Sequence, residues 1–137
     1  MLKLRADTAE DMTVLGSHLQ DATIRVADIA WLKTQHRLAL VCNRFMWEQN
    51  GPPWYRTRCG IHFESVIKAQ TRGIPMGQPD HVLELLTVHA TEQDGRTLIS
   101  LAFAGGADLR LEAELIDAEL ADLGAPWETP NRPEHDD

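Results

Sequence analysis

Along most of the chain, apolar and polar positions alternate in short runs, with the period of two that is expected of β-strands. The longest run, YRTRCGIHFESVIKAQTRG, spans residues 55–73. One set of its alternate positions is mainly apolar, and the other carries four cations and a histidine. Since successive side chains of a strand point to opposite faces, this run predicts one long strand, or two strands that meet in a bend at Gly60.

Similar patterns predict strands in six other segments, which are residues 2–6, 22–32, 37–48, 81–91, 97–104 and 109–114. Asp28 interrupts the alternation of residues 22–32, which indicates either two strand pieces or one bulged strand. Short turns such as Asp94-Gly95 join several of these segments. Strands joined by short turns are expected to pair in the antiparallel sense.

Two segments have helical spacing instead. The first is predicted to run from Ala9 to Gln20, with Asp7 or Thr8 as its N-cap. Asp11 stands three residues after Thr8 and completes an approximate capping box. The second helix is predicted near the C-terminus, where the apolar positions with helical spacing are Ile116, Leu120 and Leu123, followed by Gly124 and Pro126.

These elements predict an α+β fold in which six or seven antiparallel strands lie between an N-terminal and a C-terminal helix. The leading interpretation is a strongly bent sheet or partial barrel, broadly similar to the pleckstrin-homology fold. The alternative is a flatter sheet with both helices on one face. The 137 residues suit a single domain, which we expect to span residues 1–126, followed by a flexible acidic tail at 127–137.

The charge of the chain is unevenly distributed. From Asp108 onward there are ten acidic residues and two arginines, so this part accounts for the whole net charge of −8. An acidic domain is a poor candidate for nonspecific binding to nucleic acid, where contacts between cations and phosphates supply most of the affinity. The start of the chain has no apolar segment typical of a signal peptide, and no run is long enough to span a membrane. We therefore expect a cytoplasmic protein with reduced cysteines.

The sequence contains no strong motif for metal binding or catalysis. Cys59 and His62 have the spacing C-x-x-H, but positions three apart on a strand face opposite sides, and no second pair of ligands completes a tetrahedral zinc site. We therefore predict no metal and no cofactor. A thiol–imidazole pair is a possible nucleophile, although Cys59 belongs to the apolar set, which favours a core thiol.

The cations of residues 55–73 are too widely spaced for one small site, because Arg56 and Arg72 would lie about 50 Å apart on a straight strand. The N-terminal group lies next to a loop rich in Gly and Pro and flanked by tryptophans, and Trp and Arg are common in binding interfaces. The candidate binding residues are Trp47, Trp54, Arg56, Arg58 and His62. The alternative interpretation is a solvated strand face with a hydrophobic clasp around the loop.

Several segments resemble a family of short proteobacterial proteins known only as a domain of unknown function. They are LKLRA…AEDMTVLGSHLQDA, NRFMWE, GIHFESV and LAFAGGADLRLEAELIDAELADLGAPWETPNRPEHD. The resemblance spans nearly the whole chain. It implies a stand-alone, single-domain bacterial protein of the cytoplasm, and it carries over no activity and no catalytic residue.

The leading functional hypothesis is a non-enzymatic binding module for a protein segment or a small anionic ligand, with its groove near the five candidate residues. The second hypothesis is a small enzyme that uses Cys59 or His62. The third is a structural homo-oligomer, for which an exposed apolar patch and a two-fold contact would be required. The residues favour a protein that is not an enzyme.

Overall fold

The computed structural model describes residues 1–134, and His135 to Asp137 at the end of the predicted tail lie outside the described residues. Within residues 1–134 there are one α-helix, α1 (Ala9–Leu19), two 3-10 turns (Val26–Asp28 and Lys33–Gln35) and eleven strands. The strands are β1 (Lys3–Ala6), β2 (Thr23–Arg25), β3 (Ile29–Leu32), β4 (Arg37–Phe45), β5 (Trp54–Phe63), β6 (Val66–Arg72), β7 (Val82–Gln93), β8 (Arg96–Phe103), β9 (Asp108–Ala113), β10 (Ala118–Asp122) and β11 (Trp127–Thr129).

All the strands belong to one antiparallel sheet with the order β1-β10-β5-β4-β2-β7-β8-β9-β6, in which β3 also pairs with β4 and β11 pairs with β5. The sheet is not a closed barrel. Its inner face buries one continuous core to which both halves contribute, for example Ile61 and Phe63 of β5 and Leu101 and Phe103 of β8. The predicted fold of six or seven strands with a helix at each end is therefore wrong.

The largest error concerns the C-terminal segment, which forms strand β10 and not a helix. In β10 the alternate residues Ala118, Leu120 and Asp122 are buried, whereas Leu123, a predicted core position of the helix, is 54% exposed. Strand β10 lies between β1 and β5 and pairs with both, so the backbone N–H and C=O groups of β10 form hydrogen bonds with neighbouring strands. A few apolar residues fit either period, and only the neighbouring strands decide between them.

The bend in the long run of residues 55–73 lies at Glu64 and Ser65, and not at Gly60. Ser65 adopts a positive φ of 58°, where the chain leaves β5 in one half of the sheet and enters β6 beside β9. Gly60 stays within the ladder and pairs with Val41. The cations of β6 are thereby carried to a different part of the molecule from those of β5.

The N-terminal helix agrees with the prediction. Thr8 is its N-cap, and its hydroxyl oxygen accepts a hydrogen bond from the backbone N–H of Asp11 at 3.0 Å. The helix packs on β7 at Gly16, where a Cβ would lie 3.1 Å from the Cβ of Val88. Glycine thus allows a close approach of helix and sheet, which explains a residue that lowers helix propensity. Within residues 1–134, no helix has the length and apolar character that crossing a membrane requires.

A buried ionic network centred on Arg44 joins β4, β10 and the loop after β4. The Arg44 side chain is fully buried and makes two hydrogen bonds to Asp122, at 2.8 and 2.9 Å. It makes two more to Glu48, at 2.9 and 2.7 Å. Asp122 also accepts a hydrogen bond from the backbone N–H of Leu2. The network therefore fixes the N-terminus, β10 and the loop that carries Trp47 relative to β4.

Replacing Asp122 with Asn is expected to lower the free energy of unfolding by about 2–4 kcal/mol. Removing one partner of a buried ion pair leaves an incompletely compensated charge, which typically costs about 3–5 kcal/mol, and Glu48 offsets part of that loss. Chemical denaturation measures the effect. Glu119→Gln, on the same strand, is the matched control because the side chains that it contacts, Lys3 and His62, are 74% and 37% exposed, and it should cost less than about 1 kcal/mol. Equal losses in the two variants would contradict the prediction.

The same network predicts acid sensitivity. Burial raises the pKa of Asp122, but the hydrogen bonds from Arg44 and Leu2 outweigh it, so the pKa lies below its usual value. The hydrogen bonds from Arg44 likewise lower the pKa of Glu48. A carboxyl whose pKa is lowered by folding contributes stability above the unfolded pKa of about 4, and this contribution disappears as the pH falls through the folded pKa.

We therefore expect the free energy of unfolding to fall as the pH decreases below about 5, and to fall less steeply in Asp122→Asn than in the wild type. Denaturant titrations at a series of pH values measure both slopes. Since carboxylates outside the Arg44 network contribute equally to the two proteins, the difference between the curves reports the network that contains Asp122 and Glu48. Parallel curves would show that the ionised form of Asp122 is not specifically stabilised by folding.

Candidate functional site

A groove of about 470 Å³ opens where β2 and β3 diverge from β4. Strand β3 pairs with β4 as far as Leu40, and β2 pairs with β4 only through Thr23 and Asn43. Between these positions, Val41 and Cys42 have no partner strand on this side. The groove is lined by Thr23, Ile24, Arg25, Asp28, Val41, Cys42, Asn43, Arg58 and Val82.

The backbone of Val41 faces this groove. The backbone N–H of Met46 donates to the carbonyl of Tyr55 at 3.0 Å, in the same register in which β4 pairs with β5. Hydrogen-bonding direction alternates along a strand, so the even-numbered residues of β4 bond to β5. Val41 accordingly turns its N–H and C=O away from β5, toward the side on which the groove lies.

Arg58 carries the uncompensated charge of the groove. Among the other charged residues that line it, Arg25 and Asp28 bind each other, with Nε and Oδ2 at 3.2 Å. Arg58 is exposed, and no carboxylate within residues 1–134 forms an ion pair with it. An unpaired guanidinium at an open groove is suited to bind a carboxylate or a phosphate, to which it can donate two parallel hydrogen bonds.

A second group of cations differs from Arg58, because its arginines are paired with a carboxylate. Another groove, of about 270 Å³, is lined by Arg72 and Arg110 together with Asp108. Arg72 lies 2.7 Å from Asp108, and Arg110 lies 3.6 Å from the same carboxylate. Both guanidinium groups thus already share an anion, which makes this groove a weaker site for an anionic ligand.

The five predicted binding residues lie in four different environments. Arg56 is half-buried and donates to the backbone carbonyls of Asp21 and Asn43, at 3.3 and 3.2 Å. Burial lowers its pKa below the usual value. Arg56 therefore holds the end of α1 against the sheet, and only the neighbouring Arg58 reaches the groove.

His62 lies in an acidic cluster at the far end of β5, four residues or about 13 Å from Arg58. Its Nδ1 is 3.0 Å from Oε1 of Glu64, and its Nε2 is 3.4 Å from Oε2 of Glu119. The Nδ1 contact lacks the orientation of a hydrogen bond, so it is a close approach of the ring to the carboxylate and not a hydrogen bond. Arg37 binds the same oxygen of Glu64 at 2.6 Å. His62 therefore faces carboxylates and does not share a site with Arg58.

Trp47 and Trp54 form an aromatic cluster with Phe45. The ring centroids of Phe45 and Trp47 are 4.6 Å apart, and those of Phe45 and Trp54 are 5.9 Å apart. The indole N–H of Trp47 donates to the backbone carbonyl of Gln20 at 2.9 Å. Both tryptophans are half-buried, so the loop between them is held to the sheet, as in the clasp interpretation of the sequence.

The guanidinium of Arg132 lies over both tryptophans, 5.6 Å from the ring of Trp47 and 5.7 Å from that of Trp54. Strand β11, within the predicted tail, pairs with β5 and brings Arg132 to this position. The tryptophans thus contact a cation from the chain itself.

The thiol–imidazole version of the enzyme hypothesis required Cys59 and His62 to meet. Cys59 is fully buried on the inner face of β5, whereas His62 lies on the outer face among carboxylates, so the structure does not bring the two side chains together. Within residues 1–134, no three His, Cys, Asp or Glu side chains are grouped to hold a metal ion.

Sequence reasoning missed the groove residues other than Arg58, and it missed the Arg44 network. Arg44 had a detectable signal, because it occupies the parity of Leu38, Leu40 and Cys42, all of which are buried. A charged residue on the apolar parity of a strand indicates a buried partner. Thr23 and Asn43 carried no such signal, since their proximity depends on how β2 and β4 meet.

The family model described as "Protein of unknown function (DUF2948)" matches residues 2–135. The chain belongs to this family. The match confirms the predicted resemblance to a domain of unknown function over the whole chain. For this DUF2948 protein, the search of curated proteins and the search of solved structures found no match.

Replacing Arg132 with Ala in the DUF2948 protein is expected to change the tryptophan fluorescence and to speed proteolysis after Thr129, because the cation no longer covers the two indoles. The loss of stability should be less than about 1 kcal/mol, as is typical of an exposed cation–π contact. Arg132→Lys is the control that keeps the charge, and it should give an intermediate spectrum. Identical spectra and cleavage rates for wild type and Arg132→Ala would contradict the contact.

Proposed function

We propose that the protein is a non-enzymatic binding module that holds a small anionic ligand in the groove between β2 and β4. The observation that carries this proposal is the exposed, unpaired guanidinium of Arg58 at the groove. The other cation of the groove, Arg25, is already paired with Asp28. The group of the ligand that Arg58 binds is therefore a single carboxylate or phosphate. An extended polyanion is not expected, because the chain has a net charge of −8 and would repel it.

Two further features support a ligand of this type. The amide of Asn43 and the hydroxyl of Thr23 belong to residues that line the groove together with Arg58. A volume of about 470 Å³ is in the range of ligand pockets. The polar lining supplies orientation, and Arg58 supplies the charge-assisted bond.

Ligand titrations followed by backbone NMR test the proposal, with inorganic phosphate and succinate as probes at constant ionic strength. We expect saturable shifts at Val41, Asn43 and Arg58. Arg58→Gln should weaken binding about tenfold or more, since a hydrogen bond to a charged group contributes about 1.5–3 kcal/mol. Arg58→Lys should fall between the two, because lysine lacks the bidentate geometry.

Arg96→Gln is the matched control. Arg96 is similarly exposed but is paired with Glu112 in the other half of the sheet, so its loss should leave the affinity unchanged. Shifts that remain linear in ligand concentration, or equal affinities for wild type and Arg58→Gln, would contradict the proposed site. Saturable shifts around Trp47 and Trp54 in place of the groove residues would relocate binding to the aromatic cluster.

A further inference from the structure

The two cysteines of the chain lie directly opposite each other on adjacent strands. The chain contains only Cys42 and Cys59, which are register partners in the antiparallel pairing of β4 and β5. Both are free thiols in the core, with 2% and 0% of their surface exposed. We propose that Cys42 and Cys59 form a reversible intramolecular disulfide when the reduced protein meets a small-molecule disulfide.

The backbone geometry permits this bond. Even-numbered residues of β4 belong to the hydrogen-bonded pairs with β5, as the bond between Met46 and Tyr55 shows, and Cα atoms of such pairs are about 5.5 Å apart. This separation lies inside the range of about 4.4–6.8 Å found for disulfides. The two cysteines can therefore be joined without a shift of register or a separation of the strands.

The same geometry favours reversibility. Cβ atoms of directly opposite residues are about 4.5–5.5 Å apart, whereas a disulfide brings them to roughly 3.5–4.5 Å. Closing the bond must draw the two Cβ atoms together within a tightly packed sheet. Strained disulfides are more easily reduced than relaxed ones, so the bond should reopen readily in the presence of a thiol.

Cys42 is the residue that an oxidant reaches first. It lines the groove, and β4 has no partner strand on this side at Val41 and Cys42. Opening the groove further requires separation at only one residue pair, Thr23 and Asn43. The hydrogen bond with Cys59, together with burial, raises the pKa of the Cys42 thiol, so the reactive thiolate is scarce and the reaction should be slow.

The chemistry balances with a low-molecular-weight disulfide as the oxidant. The Cys42 thiolate attacks one sulfur of that disulfide, which forms a mixed disulfide and releases one small thiol. The Cys59 thiolate then attacks the Cys42 sulfur, which forms the internal bond and releases the second small thiol. The protein loses two electrons and two protons, and the small disulfide gains both as two thiols.

The test exposes the reduced wild-type protein to excess hydroxyethyl disulfide and follows intact mass and thiol content in denaturant over time. Both thiols are expected to disappear together, with a mass loss of two hydrogens, no retained adduct and no cross-linked dimer. Dithiothreitol should restore the original mass. Thiols that persist in the folded protein and react only after denaturation would overturn the proposal, as would an adduct that accumulates on the wild-type chain.

Single variants separate the two steps. In Cys59→Ser the mixed disulfide on Cys42 has no resolving thiol, so a stable adduct is expected. In Cys42→Ser the fully buried Cys59 should react much more slowly. Equal adduct formation in the two variants would contradict the assigned order of attack. If a serine variant does not fold, the wild-type time course still decides, because paired loss without an adduct requires the internal bond.

Discussion

The fold depends on how the protein compensates the charge of Arg44. A guanidinium with no exposed surface requires partners, and Arg44 donates four hydrogen bonds to Asp122 and Glu48. Asp122 lies on a strand 78 residues further along the chain, and Glu48 lies in the loop that follows β4. Because a buried, unpaired charge is strongly unfavourable, this one requirement holds β10 beside β5, anchors the start of β1 through Leu2, and positions the loop that bears Trp47.

The candidate groove is a consequence of the same sheet. With β5 on one side of β4, the other side is shared by β3 and β2, which approach from opposite ends and leave a gap at Val41 and Cys42. The gap leaves this side of Val41 and Cys42 without a neighbouring strand. It also places Arg58, on the adjacent strand β5, beside a groove in which it forms no ion pair with any residue of the described range 1–134.

The predictions from sequence succeeded where local rules decide the structure. The cap at Thr8, the helix that follows it, and the alternating strands around β7, β8 and β9 depend on neighbours in the chain. The predicted C-terminal helix failed because its few apolar residues fit two periods. The five candidate site residues are close together in sequence, yet strand pairing gives them different surroundings. The two tryptophans form a clasp, Arg56 binds backbone carbonyls near the end of α1, Arg58 lies at a groove, and His62 lies in an acidic cluster.

By itself, the sequence determined the period of the clearly alternating strands such as β7, β8 and β9, the acidic character of the C-terminal part and membership of a family of unknown function. It also placed a charged residue, Arg44, on an apolar parity. Only the tertiary structure decided that residues 118–122 are a strand, that Cys42 faces Cys59, and that Arg58 has no ion-pair partner within residues 1–134. These properties depend on contacts between residues far apart in the chain, and alternation along a strand specifies which face a side chain takes but not which strand lies beside it.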